Sequence, residues 1–337
     1  MRDPKHPAKG PWISEFHAGE RFVGFYFASD PQLEPFHDPA RGHYLRVILL
    51  DRSGSIEGRI WEDAHETAVA LGQGQAVKAE GLVEDFRGAL QARIVRIRPA
   101  SEDEFDAQDL LPSTRRKVEP MIAAIDDALR ELEDPHLAAL VSIFFGDARF
   151  RESFFRSPAA SRIHHAYVGG LLEHTVEILH MSKSLLELYP EIDHALLTVG
   201  ILLHDIGKLQ ELTGAYRIEY SDQGRLLGHV VMGYEMVSRA IEDIEGFPEH
   251  LALQVKHMLL AHHGRLEHGS PRRPKTMEAL ALHLLENLSA QVNRFQGLIE
   301  PTRRKGQGWT GFDRLLDRSL YAGSASDLSS EEQGLAE

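Results

Sequence analysis

Three observations along the 337 residues predict two domains of unlike class, a small all-β barrel followed by an all-α domain. Up to Arg98 the chain alternates short runs rich in Val, Ile, Phe and Tyr with turns built on Gly and Asp. Beyond Pro112 the apolar residues recur at helical spacing instead. Between the two lies an acidic stretch bounded by Pro99 and Pro112. Single cores stop growing at roughly 250–300 residues, so a chain of this length divides.

In the first part, Arg21–Ala28, Tyr44–Asp51, Ser55–Trp61, Ala76–Glu84 and Leu90–Arg98 read as strands. Turn chemistry separates them at Asp51-Arg52-Ser53-Gly54, at Gly72 with Gly74, and at Asp85-Phe86-Arg87-Gly88. Ser29 to Gly42 reads as a long first loop, and Glu62–Leu71 as a short helix after the third strand. Five strands with a helix in that place is the order of an OB-fold barrel, here residues 14–99; an SH3-like barrel is the structural rival. Residues 100–112 form an acidic linker, read as solvated. The all-α domain covers 113–321. Its helices are expected at Ser113–Leu132, His136–Phe145, Arg162–Leu188, Asp193–His204, His229–Ile244, Pro248–His263 and Met277–Asn293, several of them stopped by Gly or Pro. The Gly/Ser/Glu-rich residues 322–337 read as a disordered tail.

Composition narrows the function classes. No apolar run approaches the roughly 20 residues that span a bilayer, so no membrane partner is expected. Met1 to Trp12 is polar and Pro-rich, without the apolar stretch of a signal peptide. The absence of cysteine excludes a disulfide framework and a thiolate metal site, and fits a cytoplasmic protein. A net charge of −14 argues at first against a nucleic-acid partner. Its distribution removes that objection, because Ala100–Asp109 and Ser324–Glu337 hold five and four acids and no Lys or Arg. Nothing in the sequence sets the oligomeric state.

Histidine is the informative residue. Thirteen of the 19 lie between positions 164 and 283, and they gather at His174, His204–Asp205, His229 and His262–His263, with Glu286 following on a later helix. His174 shares a helical face with Leu171 and Ile178. His204–Asp205 ends the apolar run Val199 to Leu203, and His262 continues the stripe Leu251, Val255, Met258, Leu259. Glu286 falls on the face of His283, Ala290 and Asn293, opposite Leu280–Leu284–Leu288. Burying so many ionisable groups without partners would cost several kcal/mol apiece. A shared cation resolves that cost, and mixed imidazole and carboxylate donors suit divalent transition metals, with enough donors for two ions. Paired ions are a common device for cleaving phosphate esters. His180, His194, His250 and His268 sit on polar faces or loops and read as structural, while His257 can be read either way.

The run Arg162-Ile163-His164-His165-Ala166-Tyr167-Val168-Gly169-Gly170-Leu171-Leu172-Glu173-His174-Thr175 resembles the signature of the YhaM-type 3′–5′ exoribonucleases. These are OB-fold proteins carrying a metal-dependent phosphohydrolase domain of the HD superfamily. His204-Asp205-Ile206-Gly207-Lys208, Asp109-Leu110-Leu111-Pro112, Trp309-Thr310, the Asp51–Trp61 segment and Gln91 are similar too, so the likeness runs from about Glu20 to Tyr321. The resemblance implies one metal on His174, His204, Asp205 and Glu286, and a second on His229, His262 and His263 with Asp205 as the bridge. It implies Asp205 and Lys208 as catalytic residues, with Lys208 supplying positive charge to a phosphate oxygen. His164 and His165 would contact substrate phosphate or support the ligands, with a purely structural role as the equal alternative. Two departures stand out: glutamate occupies position 286 where the family usually has aspartate, and Ser289 stands where the family has another acid. The first loop is acidic where family members tend to carry lysines, which weakens phosphate attraction there.

For the barrel, single strands are bound by stacking on aromatics over a cationic groove. Tyr44, Trp61 and Phe86 are the aromatic candidates, with Trp61 read as core and Phe86 as exposed; Arg46, Arg59, Arg87 and Arg93 are the cations. The expectation is therefore a cytoplasmic hydrolase of single-stranded RNA, with DNA as a second substrate. It would use two divalent metal ions, manganese first, with iron, cobalt and magnesium as alternatives. A phosphohydrolase of nucleotides or cyclic dinucleotides is one rival, and a non-catalytic nucleic-acid-binding regulator the other.

Overall fold

The computed structural model describes residues 9–36, 38, 42–72, 74–86, 88–110, 112–161, 164–213, 218–304 and 306–323. The expected tail lies outside them from Ser324 onward. Two compact units divide the chain: the first runs to Arg115, and the second takes Arg116 to Leu212 and resumes at Tyr220.

The first unit is built from β1 (Arg21–Pro35), β2 (His43–Asp51), β3 (Gly54–Ile60), α1 (Ala64–Leu71), β4 (Gly74–Phe86) and β5 (Ala89–Pro99). These strands close into a barrel in the order β1-β2-β3-β5-β4. Closure is made by parallel pairing of Glu57–Ile60 with Gln91–Ile94, while the other ladders are antiparallel. That parallel seam, with α1 between β3 and β4, is the OB arrangement and sets the SH3-like rival aside. Period-2 alternation supplies the core: Leu45, Val47 and Leu49 of β2 point inward with Phe22, Tyr26, Val77, Val83 and Ile94. The inward face of β2 ends on a charge. Asp51, fully buried, pairs with buried Lys9 and accepts from the backbone N–H groups of Ile13 and Ser53 at 2.9 and 2.8 Å.

Two segments differ from expectation. The presumed loop after Ala28 is strand: β1 passes an irregularity between Ser29 and Gln32, then pairs again from Gln32 with Arg46 to Pro35 with His43. Asp30 takes a left-handed φ of 50° there, and Pro31, which cannot donate to a ladder, sits within the bulge. The acidic stretch after Pro99 is not solvated throughout, because Phe105 and Leu110 pack against Phe25, Phe27 and Ala76.

The second unit is helical: α2 (Val118–Arg130), α3 (Pro135–Phe145), α4 (Ala148–Arg156), α5 (Gly170–Leu188), α6 (His194–Leu203), α7 (Asp222–Glu242), α8 (Glu249–Ala261) and α9 (Met277–Arg304). One core of Leu, Ile, Val and Phe runs through it, with Leu171, Val199, Ile201, Val255 and Leu282 fully buried. The charged helix α4 was not anticipated; Asp147 caps it by accepting from the N–H groups of Arg149 and Phe150, and Phe154 anchors it. α5 starts at Gly170 rather than Arg162. Gly169, at φ 80°, turns the chain, and Arg162 and Ile163 lie outside the described residues. α9 buries Glu286 and Ser289 beside Ala279 and Leu282, while Leu280, Leu284 and Leu288 are each about half exposed.

Candidate metal centre

Four helix ends and one turn deliver the histidines to one place. α6, almost wholly buried, ends at His204, whose Nδ1 lies 2.8 Å from the Ile201 carbonyl. α8 ends at His262 by the same device, with Nδ1 2.8 Å from the Leu259 carbonyl. Because a carbonyl only accepts, both rings carry their proton on Nδ1 and present Nε2 to the interior. α7 is broken at Gly228, whose φ and ψ of 74° and 154° are non-helical, and His229 starts the regular segment beyond the break. Glu211 fixes it twice, accepting from the His229 backbone N–H at 2.9 Å and lying 3.0 Å from Nδ1. Gly207 lies directly against this break, where a Cβ would overlap the His229 carbonyl and meet the Gly233 nitrogen.

Asp205 sits at the middle. Its Oδ2 is 3.3 Å from His204 Nε2, 3.8 Å from His174 Nε2 and 2.6 Å from Lys208 Nζ. Its Oδ1 faces the other way, 3.5 Å from His229 Nε2 and 3.7 Å from His262 Nε2. His263 Nε2 completes that second set, 3.0 Å from His229 Nε2. The donors thus form two trios of metal-holding dimensions, His174–His204–Asp205 and His229–His262–His263. Glu286 joins neither trio, its nearest contact with these groups being His263 Nδ1 at 3.8 Å. The resemblance would have it on the first trio. Lys208 is buried against Asp205.

The electrostatics suit a cation. Burial pushes the His262 and His174 imidazoles well below their usual value and His263 down to about 3, so these three donors are neutral at physiological pH; at His204 burial acts the same way, but Asp205 outweighs it and raises the imidazole. Burial works against the Asp205 carboxylate too, but Lys208 and His204 outweigh it and hold the group ionised. Burial, reinforced by Asp205, lifts Glu286 to about 7. Asp205 Oδ1 and His262 Nε2 are buried with no hydrogen-bond partner among the described residues. A buried carboxylate oxygen facing an unprotonated imidazole nitrogen is a repulsive pair unless a cation lies between them. The residues present therefore fit a divalent metal.

His164 and His165 come close because the loop before α5 folds back over the start of that helix. Their ring centroids lie 5.6 and 5.2 Å from that of His174, and His165 holds a φ of 46°. Of the histidines read as structural, His180, His194, His250 and His268 are exposed. His257 accepts from the Lys275 backbone N–H at 2.9 Å, which makes it a loop anchor. Glu211 and Glu177 escaped the sequence reading. A helical carboxylate next to apolar residues carries no distinguishing pattern until its imidazole partner is located.

On the barrel, Tyr44, Trp61 and Phe36 form one aromatic group, with ring centroids 4.9 to 5.6 Å apart. Trp61 is 39% exposed and Phe86 47%. The reading of Trp61 as core is thus corrected; Ile60 takes the inward position at the end of β3, so the next residue points out. Arg59 lies over both Tyr44 and Phe86, at 5.5 and 5.4 Å. The arginines are already paired: Arg46 with Asp30 and Glu34, Arg59 with Glu57, Arg93 with Glu84, at 2.8 to 3.0 Å. Arg87 lies outside the described residues. Phe36 was missed because the segment holding it had been read as loop.

The HD domain family model matches residues 171–291. The chain is 35% identical over 279 residues to a 3′-5′ exoribonuclease YhaM of Shouchella clausii, covering 82% of this chain and 86% of that protein. The YhaM proteins of a Geobacillus species and of Bacillus subtilis are 32% and 33% identical, with 86% and 82% of this chain covered and 89% and 88% of theirs. No solved structure matches significantly. An OB barrel, an HD domain over the ligand-bearing helices and this extended likeness lead to one conclusion: the chain belongs to the YhaM family of 3′-5′ exoribonucleases.

Proposed function

We propose that the protein removes nucleotides one at a time from the 3′ end of single-stranded RNA, releasing nucleoside monophosphates, with single-stranded DNA as a second substrate. One observation carries the chemistry: Asp205 turns one oxygen to each of two imidazole sets. Two divalent ions, manganese by preference, would be held by His174, His204 and Asp205 on one side and by His229, His262, His263 and Asp205 on the other. Bound there, the ions would supply the chemistry of a water molecule with a lowered pKa as the attacking group. Asp205 holds the spacing. Lys208, kept in the centre by Asp205, balances the charge that grows on the phosphate oxygens. Glu286, on the longer side chain, closes the site beside His263. His164 and His165 lie where a phosphate approaching His174 would pass.

In the barrel, Tyr44, Trp61, Phe36 and Phe86 are proposed to stack bases, with Arg59 and Arg46 beside the backbone. Each aromatic face is worth about 1–3 kcal/mol per base. A cytoplasmic location is part of the same reading, since the chain has no cysteine to oxidise.

The test uses oligoribonucleotides labelled at either end, incubated with the protein and Mn2+. A 3′ label should appear at once as mononucleotide, while a 5′ label yields a descending ladder. Asp205→Asn should lower the rate by more than about 100-fold without loss of fold. Turnover of free nucleotides with intact oligonucleotides would overturn the proposal.

A further inference from the structure

Of the four proposed metal-ligand imidazoles anchored at Nδ1, three use a backbone carbonyl or a carboxylate directly. His204 uses the Ile201 carbonyl, His262 the Leu259 carbonyl, and His229 the Glu211 carboxylate. His174 does neither. Its Nδ1 lies 2.9 Å from the hydroxyl of Ser289, which donates its proton to Glu177 Oε2 at 2.7 Å. A hydroxyl has one proton to give. With that proton directed to Glu177, Ser289 must accept from His174, so the imidazole carries its proton on Nδ1. Nε2 is left as a bare donor, 3.4 Å from His204 Nε2 and 3.8 Å from Asp205 Oδ2.

The far end of this chain of groups is secured. Arg116 donates to Glu177 Oε1 at 2.6 Å and lies 2.9 Å from Glu173 Oε1, which fixes where the second oxygen of Glu177 points. That oxygen is also 3.2 Å from His165 Nε2, without the alignment of a hydrogen bond. Ser289 and His174 are buried, with 3% and 0% exposure, so water does not substitute for either link. Glu177 lies three residues after His174 on α5, and Ser289 comes from α9, so the relay also ties those helices together at the ligand.

We propose that Glu177 is a positioning residue of the metal centre, acting through Ser289 to hold His174 in its Nδ1-protonated form and aim Nε2 at a divalent cation. This rests on the two-cation reading above. Groups in this role change metal affinity by about 10- to 100-fold without touching the ion.

The experiment is calorimetric titration of the full-length, metal-free protein with Mn2+. The parent should bind two ions. Glu177→Gln and Ser289→Ala should each weaken one of the two by about tenfold, leave the other within a factor of two, and shift the metal-free Tm little. Placing a carboxylate directly on His174 should undo the loss: Ser289→Asp in the Glu177→Gln background should bind Mn2+ within about threefold of the parent. Nitrogen-15 spectra of the histidines add a readout that needs no metal, since the Nδ1–H form of His174 should give way to mixed tautomers in Glu177→Gln. The proposal is overturned by variants that keep the parent's affinities and tautomer. It is equally overturned by equal losses at both ions with a lowered metal-free Tm and no rescue, which would make the relay merely structural. A parent that takes up no Mn2+ would remove the two-cation reading and the relay together.

Discussion

Glu286 is the residue on which chemistry and stability pull hardest against each other. Buried near Asp205 and lifted to about 7, it is a carboxyl that the metal-free fold prefers protonated. Its folded pKa lies above the ordinary value, so the stability this provides is present below about pH 4.5 and is lost as pH rises through 7. Glu286→Gln should therefore raise the Tm of the metal-free protein at pH 8, by up to about 3 kcal/mol of stability, and make little difference at pH 4.5. Scanning calorimetry at both pH values checks this, and a variant that melts lower at pH 8 would contradict it. At this scale the sequence was legible where a residue type repeats at successive helix ends, as His174, His204, His229 and His262 do. It was opaque for Glu177 and Glu211, whose significance lies in which nitrogen they face. Glu286 was found but not its neighbour: spacing put it near the centre, and only the fold shows that His263 is the group it approaches.

Among the elements, α9 and β1 carry the lessons. In α9 the face that carries Glu286, Ser289 and Asn293 turns inward, as their spacing opposite the leucine stripe implied, and Leu280, Leu284 and Leu288 are left half exposed. Asn293 accepts from the His165 backbone N–H at 2.8 Å and donates to the Tyr167 hydroxyl at 3.0 Å. Replacing Leu284 and Leu288 by glutamine should cost about 1 kcal/mol or less apiece and leave Mn2+ binding unchanged, as denaturant titration would show. In β1, helix and strand periodicity located the element but not its end, since Pro31 and the bulge read as punctuation although the ladder resumes beyond them. That extension supplies Asp30 and Glu34, which hold Arg46. Asp30→Asn with Glu34→Gln should free this cation, tighten binding of single-stranded RNA, and steepen the slope of log affinity against log salt by about 0.7. An unchanged slope would mean that Arg46 lies outside the path of the strand.

Across the whole molecule, the division into barrel and helical bundle was visible because hydrophobic periodicity switches from two to helical spacing across an acidic, Pro-bounded stretch. The packing of Phe105 and Leu110 was not, since charge dominates their surroundings in sequence. The proposed metal ligands all belong to the second unit. Chelation should therefore lower the melting transition of the helical unit and leave that of the barrel in place. At Mn2+ a hundredfold above its Kd, each ion should add about 2.7 kcal/mol. A chelator-induced shift in the barrel's transition would show that the two melt as one.

The contact at Gly207 bears on which cations the proposed centre would admit. With no side chain between them, the backbone of the turn after Asp205 rests directly on the backbone at His229. The two halves of the cage are thus held at a separation set by main chain against main chain, which rotamer adjustment of the imidazoles does not widen. On the two-cation reading, ionic radius as well as affinity for nitrogen should then decide which ions are held; Gly207→Ala should spread the two ligand sets and favour larger ions as it loosens the fold.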